Sequence, residues 1–435
     1  MSLFNNLRWW FVERFIPFFS GPDPKHLRQR NIWRLYQDLI WLGFASAAAT
    51  YINVYALRLG ASKELIGLRT SIPSLIVVLL RIPAARWMER TADRKSLVVR
   101  ALTAGRAFYL LLFLLPWLTN IPLLKQIPPA SLLVWSVILM GVPSVLSAAG
   151  WDTFFADVVP PRRRARVVSM RSTMTHLMML TVVPLMGYFL DWVAFPLNYQ
   201  LLFLLAFIGA MISTWHVNQI KVRGAGELSK KPKALNFTEA RQIVQSTPEF
   251  SALLLGTFIY QWGVSLASPL FSVYFVDVLG ASDSWIGWRT TLASLGSIVA
   301  FRFWPRHVER QGERRILTLA APMMALFPLL TGLSRSLTPN LFIILIPRLF
   351  GSAVMLARYN ILLRVSPDDR RPTYIAIYAI LNNIAAFIAP MVGVSLADAI
   401  GIRGVFFVAA GLRLVASLLY QRLPNPAPST APAGE

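Results

Sequence analysis

Apolar stretches of about 20 residues, separated by short polar segments, recur along the 435-residue chain. A helix of that length spans the hydrocarbon core of a bilayer, because each residue adds about 1.5 Å of rise. Twelve stretches are long and apolar enough, so the pattern predicts an all-α membrane protein with twelve transmembrane helices. The predicted spans are 33–57, 64–88, 97–118, 131–156, 167–190, 199–217, 249–277, 284–304, 314–333, 340–363, 373–396 and 402–421.

The composition favours a membrane protein over a water-soluble one. Hydrophobic residues make up 55% of the chain and charged residues only 14%, which leaves too little polar surface for a soluble globule of this size. The net charge of +23 comes from basic residues that cluster in the loops rather than along one face. It therefore indicates membrane topology, and no nucleic-acid partner is predicted.

The basic residues also predict the orientation. With both termini in the cytoplasm, the outer loops contain only five Lys or Arg residues. Lys and Arg concentrate in cytoplasmic loops of membrane proteins. We therefore predict a multi-pass protein of the cytoplasmic (inner) membrane, surrounded by the lipid bilayer. The five outer residues are Arg58, Lys63, Lys125, Arg335 and Arg403.

The chain divides into two related halves. Residues 59–70, Leu-Gly-Ala-Ser-Lys-Glu-Leu-Ile-Gly-Leu-Arg-Thr, recur at 279–290 with eight of twelve positions identical. A second match pairs Gly187 with Gly393, each three residues after a proline. Parallel repeats of this kind indicate two six-helix bundles that are related by an axis along the membrane normal.

The segments outside the two bundles differ from them in composition. Aromatic and charged residues alternate near the N-terminus, which predicts an amphipathic helix in the membrane interface, with docking of a partner protein as the alternative. The Pro/Ala-rich C-terminal tail is predicted to be disordered. The domain assignment is 1–30 interfacial segment, 31–217 N-terminal bundle, 218–248 cytoplasmic linker, 249–422 C-terminal bundle and 423–435 tail.

Charged motifs occupy matching inner loops of the two halves. Residues 85–95 read Ala-Arg-Trp-Met-Glu-Arg-Thr-Ala-Asp-Arg-Lys, and residues 305–315 read Pro-Arg-His-Val-Glu-Arg-Gln-Gly-Glu-Arg-Arg. After the fourth span, residues 157–164 read Asp-Val-Val-Pro-Pro-Arg-Arg-Arg. These segments resemble loop motifs of the major facilitator superfamily, although Glu replaces Asp in both copies of the first motif. The resemblance covers residues 30–422 and implies two pseudo-symmetric six-helix bundles around a central cavity.

The same resemblance implies a gating latch on the cytoplasmic side. A carboxylate can cap the positive end of a helix dipole, while a neighbouring Arg pairs with an acid that closes another helix. Such contacts would form in one access state and bias the equilibrium between states. A plain basic loop without a gating role is the alternative. The latch candidates are Glu89, Arg90, Asp157, Arg164, Glu309 and Arg310.

Asp38 is the clearest acid inside a predicted span. Ionisable residues within a membrane are energetically costly, so their presence is informative. A buried carboxylate at this position could carry a coupling proton, which makes protons the candidate coupling ion. The alternative is an ion pair with Arg34, one helical turn away.

Further polar residues fall at the depth of the implied cavity. Each of them alone more often makes an interhelical hydrogen bond than a ligand contact. The strongest substrate or gate candidates are Arg348 and Arg358, because the resemblance places the tenth span at the cavity. An excess of intramembrane arginines over acids favours an anionic or amphiphilic substrate. The candidates for the substrate and proton cavity are Asp38, Asn53, His176, Gln261, Trp262, Arg348, Arg358, Asn382 and Asn383.

Nothing in the sequence predicts an enzyme, a metal site or a cofactor. It contains neither a P-loop glycine run for ATP nor a nucleophile with a partner base. The chain has no cysteine, and its four histidines are scattered without the spacing of metal ligands.

Two functional hypotheses follow from the resemblance. The first is secondary active transport of a small organic solute across the cytoplasmic membrane by alternating access, with proton coupling as its candidate energy source. The second is a membrane component of the same fold without solute transport, such as a lipid- or pigment-handling protein or a structural subunit. The degenerate loop motifs and the aromatic N-terminal segment favour the second.

Overall fold

The computed structural model describes residues 27–91, 93–221, 237–367 and 370–423. Within these ranges the chain forms helices and no strand, which confirms the predicted all-α fold. Most of the predicted interfacial segment, the middle of the predicted linker and the predicted tail lie outside the described residues. The helices are α1 Leu27–Thr50, α2 Ile52–Arg58, α3 Lys63–Arg90, α4 Arg94–Leu118, α5 Pro129–Val158, α6 Pro161–Trp192, α7 Leu197–Asn218, α8 Phe237–Ser246, α9 Pro248–Val273, α10 Asp283–Gln311, α11 Glu313–Leu333, α12 Leu337–Ile343, α13 Leu345–Val365 and α14 Arg371–Gln421, with a π-helix at Tyr274–Val278.

All twelve predicted spans lie on described helices. By length and composition, ten helical segments of the described chain could cross a membrane. The longest, α14, has 51 residues and a non-helical break at Gly401, so it contains the last two predicted spans. The predicted span 284–304 lies within the 29-residue α10.

Proline begins three of the long helices. Pro129, Pro161 and Pro248 are the first residues of α5, α6 and α9. Proline suits this position because its fixed φ matches the helix and because the first N–H of a helix has no intrahelical partner. The sequence therefore sets these helix starts locally.

The duplicated segment adopts the same local structure in both copies. Gly60 and Gly280 both have positive φ, +83° and +67°, a conformation that glycine adopts without strain. Two residues later, the hydroxyl oxygens of Ser62 and Ser282 accept the backbone N–H three positions on, at 3.4 and 3.2 Å. These are helix N-caps, so each copy ends one helix and begins the next.

The described chain clusters into two units. The N unit comprises residues 27–61, 79–221 and 282–291, and the C unit comprises 62–78, 237–281 and 292–423. The predicted bundle boundaries placed 62–78 in the first bundle and 282–291 in the second. The first part of α10 thus packs within the N unit and the first part of α3 within the C unit.

Stacked aromatic rings hold the core of the N unit. Tyr55 and Tyr199 stack with ring centroids 4.5 Å apart, and Phe203 lies 5.6 Å from Tyr55. All three side chains are fully buried. Offset aromatic contacts of this kind add to the burial of apolar area and fix α2 against α7.

The C unit packs α9 against α14. Phe271 and Phe406 stack at 4.6 Å, and Phe250 lies 4.5 Å from Tyr374. Gly393 lies so close to α9 that a Cβ built on it would stand 1.9 Å from the Leu266 carbonyl oxygen. Small residues let membrane helices approach closely, and this glycine sets the distance between the two helices.

Candidate functional site

A buried carboxylate lies at the centre of a charged cluster in the N unit. Asp38 on α1 is 1% exposed and forms ion pairs with Arg106 at 3.6 Å and Arg171 at 3.3 Å. Ser213 on α7 donates a further hydrogen bond to its carboxylate. This Asp38 cluster therefore joins α1, α4, α6 and α7.

Both arginines of the Asp38 cluster make additional bonds. Arg106 donates to the Ala210 carbonyl at 3.1 Å and to the Thr214 hydroxyl at 2.7 Å. Arg171 donates to the Leu35 carbonyl at 2.7 Å and lies over the Trp151 ring at 5.1 Å. The buried guanidiniums are thus paired and hydrogen-bonded, as buried charges must be.

The sequence left two interpretations of Asp38, a proton carrier and an ion pair with Arg34. Arg34, the partner considered there, contacts His216 at 3.4 Å and lies over Trp215 instead. The Asp38 carboxylate is thus paired with two arginines of other helices, which favours a structural ion-pair role with partners other than Arg34. The ion pair with Asp38 and the hydrogen bonds to Ala210 and Thr214 account for the burial of Arg106.

A second polar contact joins the end of α6 to the start of α10 within the N unit. The carboxylate of Asp191 accepts the backbone N–H groups of Asp283 and Ser284, each at 2.9 Å. A carboxylate at a helix N-terminus satisfies free N–H groups and interacts favourably with the helix dipole. We name this the α6–α10 contact; it lies at the predicted outer ends of the helices.

The side chain of Asp283 is buried beneath the α6–α10 contact. Tyr199 donates to its carboxylate at 2.5 Å, and Arg58 lies 4.0 Å from the other oxygen. Its side chain is 6% exposed, whereas that of Arg58 is 38% exposed. A buried acid at the first position of α10 is therefore held by one phenol and one arginine.

Two glycines make the close approach possible. A Cβ built on Gly187 would stand 2.7 Å from the Asp283 carbonyl oxygen and 2.8 Å from the Ser284 Cα. A Cβ on Gly287 would stand 3.0 Å from the Pro184 Cα. Larger residues at either position would separate the two helices, so backbone lies directly against backbone here.

The C unit contains a related contact between α3 and α14. Lys63 at the start of α3 forms an ion pair with Asp398. A Cβ built on Gly67 would stand 2.9 Å from a Val394 methyl. Gly67 and Gly287 are matched positions of the sequence repeat, so each copy brings its glycine against another helix. Sequence analysis did not identify either contact as a site.

Replacing Asp191 by Asn tests the cap. We expect a loss of stability of about 0.5–2 kcal/mol, because the neutral amide loses the charge–dipole interaction and offers only one acceptor. Thermal unfolding of the purified protein measures it. Asp152→Asn is the matched control, since Asp152 is an exposed acid on α5 of the same unit. Equal melting temperatures for Asp191→Asn and Asp152→Asn would contradict a stabilising role of the Asp191 cap.

The predicted cytoplasmic latch is only partly described. Arg90 and Asp157 are exposed, and no ion pair joins them in the described chain; the side chain of Glu89 lies outside the description. Arg164 donates to the carbonyls of Val159 and Ala156 at 3.1 and 2.9 Å and so caps the end of α5. The latch remains a prediction about another access state.

The C unit has a different ion pair at the corresponding helix ends. Glu309 and Arg310, the predicted latch residues, are both exposed. Arg364 at the end of α13 instead pairs with Glu249 at 2.8 Å and Glu313 at 3.3 Å. The sequence contains a signal for this ion pair, because the two acids lie at the starts of α9 and α11 and the arginine lies at the end of α13.

The polar cavity candidates are distributed over several helices. Asn53 on α2 and His176 on α6 are partly buried. Gln261 donates to the Ser265 hydroxyl at 2.9 Å, within α9. Asn382 and Asn383 each donate to the carbonyl four residues earlier on α14, at 2.9 and 2.8 Å. These three amide hydrogen bonds are intrahelical rather than interhelical.

Trp262 and Arg358 have buried polar atoms without hydrogen-bond partners in the described chain. The indole Nε1 of Trp262 is buried without a hydrogen-bond partner in the described chain. Arg358 lies over the Tyr260 ring at 4.8 Å, and its Nε and Nη1 also lack partners there. Arg348 is exposed, with its Cβ 3.1 Å from where a Cβ on Gly296 would stand.

Arg413, another intramembrane arginine of the C unit, has a structural role. It is 3% exposed and lies on α14. It donates to the Gly263 carbonyl at 3.3 Å and to the Met324 carbonyl at 2.8 Å, which ties α14 to α9 and α11. Hydrogen bonds to backbone carbonyls of two neighbouring helices thus explain how a buried arginine is accommodated here.

Solved transporter structures share this fold. A bacterial homologue of the iron transporter ferroportin, in an inward-facing state, aligns with a TM-score of 0.70 at 15% identity, covering 91% of this chain and 98% of that one. The nucleoside transporter NupG aligns with a TM-score of 0.67 at 10% identity, covering 90% and 99%. At these identities the likeness shows the fold alone.

Curated relatives match part of the sequence. The multidrug resistance protein MdtG of Serratia proteamaculans is 30% identical over 174 residues, 38% of this chain and 42% of the relative. MdtG of Citrobacter koseri is 31% identical over 170 residues, 38% of this chain and 41% of the relative. The alignment thus spans less than half the length of these relatives.

The family assignment uses both halves of the chain. The family model of the Major Facilitator Superfamily matches residues 39–252 and 253–435. The two matches meet near the start of α9, where the predicted C-terminal bundle begins. The chain therefore belongs to the major facilitator superfamily, whose members are multi-pass membrane transporters of small molecules and not enzymes.

Proposed function

We propose that the protein exports small organic solutes across the cytoplasmic membrane by alternating access. Family membership supports transport, and the curated relatives called multidrug resistance proteins support export of organic compounds. In this proposal both termini are cytoplasmic, as the distribution of basic residues favours. Protons are the proposed coupling ion, and no residue is assigned as their carrier, because Asp38 is already paired with Arg106 and Arg171.

The α6–α10 contact is the observation that carries the proposal. It consists of two hydrogen bonds to an exposed carboxylate and a glycine-lined crossing, rather than of a large apolar interface. A small polar contact of this kind can form and break at modest energetic cost, as a bistable element requires. On this proposal it is intact while the outer side is closed and opens when solute leaves.

Cross-linking tests whether this contact must open. Trp288 donates to the Tyr188 hydroxyl at 2.8 Å across the contact, and both side chains are exposed. The chain contains no cysteine, so Tyr188→Cys/Trp288→Cys is the only thiol pair in the variant. We expect a short bifunctional thiol reagent to abolish efflux of a transported dye from cells that lack other efflux pumps.

The control pair lies within one helix. Trp135→Cys/Leu139→Cys places two exposed thiols one turn apart on α5, where a cross-link constrains no helix pair. Efflux should survive cross-linking there. Continued efflux by the cross-linked Tyr188→Cys/Trp288→Cys variant would contradict the proposed opening. Absence of efflux of cationic, neutral and anionic dyes by the unmodified protein would favour a component without transport.

A further inference from the structure

Arg358 on α13 carries a charge for which the described part of the C unit provides no counterion. Its Nε and Nη1 are buried without a hydrogen-bond partner there, and it forms no ion pair with any described residue. Its neighbours are phenols: the Tyr260 ring at 4.8 Å and the Tyr420 hydroxyl, which accepts a hydrogen bond from Arg358 and itself donates to Thr257 at 3.2 Å. An unpaired charge in a membrane interior is unfavourable, and such residues mark ligand or ion sites.

In the N unit, the buried arginines have a carboxylate as counterion. There Asp38 pairs with both Arg106 and Arg171. In the C unit the intramembrane arginines Arg358 and Arg413, two of several, have no such acid, because each acidic residue on α9 to α14 lies within about a turn of a helix or span end. Arg413 is satisfied by carbonyls. Of these two arginines, Arg358 is therefore the one whose guanidinium retains nitrogens, Nε and Nη1, that lack an acceptor among the described residues.

We propose that Arg358 binds the anionic group of an organic solute, with the Tyr260 ring beside it. This inference rests on the proposed function and gives its substrate class: amphiphilic solutes that carry a carboxylate or a similar planar anion. Guanidinium presents paired N–H donors that match a carboxylate, and its charge strengthens both hydrogen bonds.

The surroundings of Arg358 fit an amphiphilic ligand. Met355 and Tyr359, three residues before and one after it on α13, are 48% and 51% exposed. Arg358 itself is only partly buried, so part of the side chain is reachable from that surface. The exposed methionine and tyrosine offer apolar area to the ligand body, while the arginine takes its charge.

A matched pair of probes tests the site on the purified full-length protein. 1-Naphthaleneacetate and 1-naphthaleneacetamide have the same ring system and differ in charge. We expect the acid to raise the melting temperature saturably and the amide to raise it much less, because a ligand stabilises the state that binds it. In Arg358→Gln, the acid concentration that gives half of the maximal stabilisation should rise about tenfold, because a charge-assisted hydrogen-bonded pair is lost.

Two further variants keep the test decisive if Arg358→Gln folds poorly. Arg358→Lys retains the charge but not the paired donors, so it should keep part of the preference for the acid. Arg413→Gln should lower the melting temperature of the unliganded protein and leave the preference intact. Equal stabilisation by acid and amide in the unmodified protein, or an unchanged preference in Arg358→Gln, would overturn the proposal.

Chloride distinguishes an inorganic from an organic ligand. Stabilisation by sodium chloride alone, dependent on Arg358 and displacing the acid, would overturn the organic substrate class. The binding test is also independent of the transport test. Dye efflux without a preference for the acid in the binding test would refute this inference alone, whereas acid binding without efflux of any dye would refute the proposed function alone.

Discussion

Replacing Gly393 by Ala should strongly destabilise the protein. The added Cβ would stand 1.9 Å from the Leu266 carbonyl oxygen and 2.8 Å from its carbon, both of which are backbone atoms. Backbone cannot turn aside as a side chain can, so α9 and α14 must separate along their length. We expect a loss of about 3 kcal/mol, the upper range for overpacking, measured by thermal unfolding of the purified protein.

Gly411 provides the matched control on the same helix. A Cβ built there meets no atom within 4 Å. Gly411→Ala should leave stability unchanged or raise it by about 0.5–1 kcal/mol, because Ala favours a helix interior over Gly. Similar melting temperatures for the two variants would show that the α9–α14 distance is not set by Gly393.

Asp38→Asn should also be strongly destabilising. The amide leaves the buried guanidiniums of Arg106 and Arg171 without a counterion. Removing one partner of a buried ion pair costs about 3–5 kcal/mol, mostly because the other charge stays buried. Thermal unfolding measures the loss, and Asp152→Asn, an exposed acid on α5, should melt like the unmodified protein.

A second substitution separates the structural role from a proton-carrying one. Asp38→Asn/Arg106→Gln removes one of the two uncompensated charges, so we expect it to recover part of the stability lost in Asp38→Asn. Such non-additivity is typical of residues in one network. A proton carrier predicts the opposite pattern: Asp38→Asn would fold normally, and only the proton dependence of efflux would change.

The helices and the sequence repeat were predictable because their signals are local. About 20 apolar residues specify a span whatever surrounds them, since no other backbone arrangement satisfies its hydrogen bonds in lipid. Likewise, Gly60 and Gly280 followed by Ser62 and Ser282 encode a helix end and an N-cap within a few residues. The twelve predicted spans accordingly all lie on helices.

The site residues were less predictable because their partners are far away in sequence. Asp38 is buried in the structure, but its partners Arg106 and Arg171 lie 68 and 133 residues further on, whereas the sequence suggested the nearby Arg34. Interhelical pairs of this kind depend on which helices are neighbours and on how each is rotated. Composition and periodicity carry neither kind of information.

By itself, the sequence determined the fold class, the helical spans, the duplication and the motifs of the superfamily. Only the tertiary structure decided that Asp191 caps α10 and that Gly187 and Gly393 touch backbone of different helices. It also decided that Arg358 has no counterion among the described residues, whereas Arg106 has Asp38. The physical reason is the separation along the chain of the residues that interact. Helix formation depends on neighbours within a few residues, whereas charge pairing and close packing depend on atoms that only the folded chain brings together.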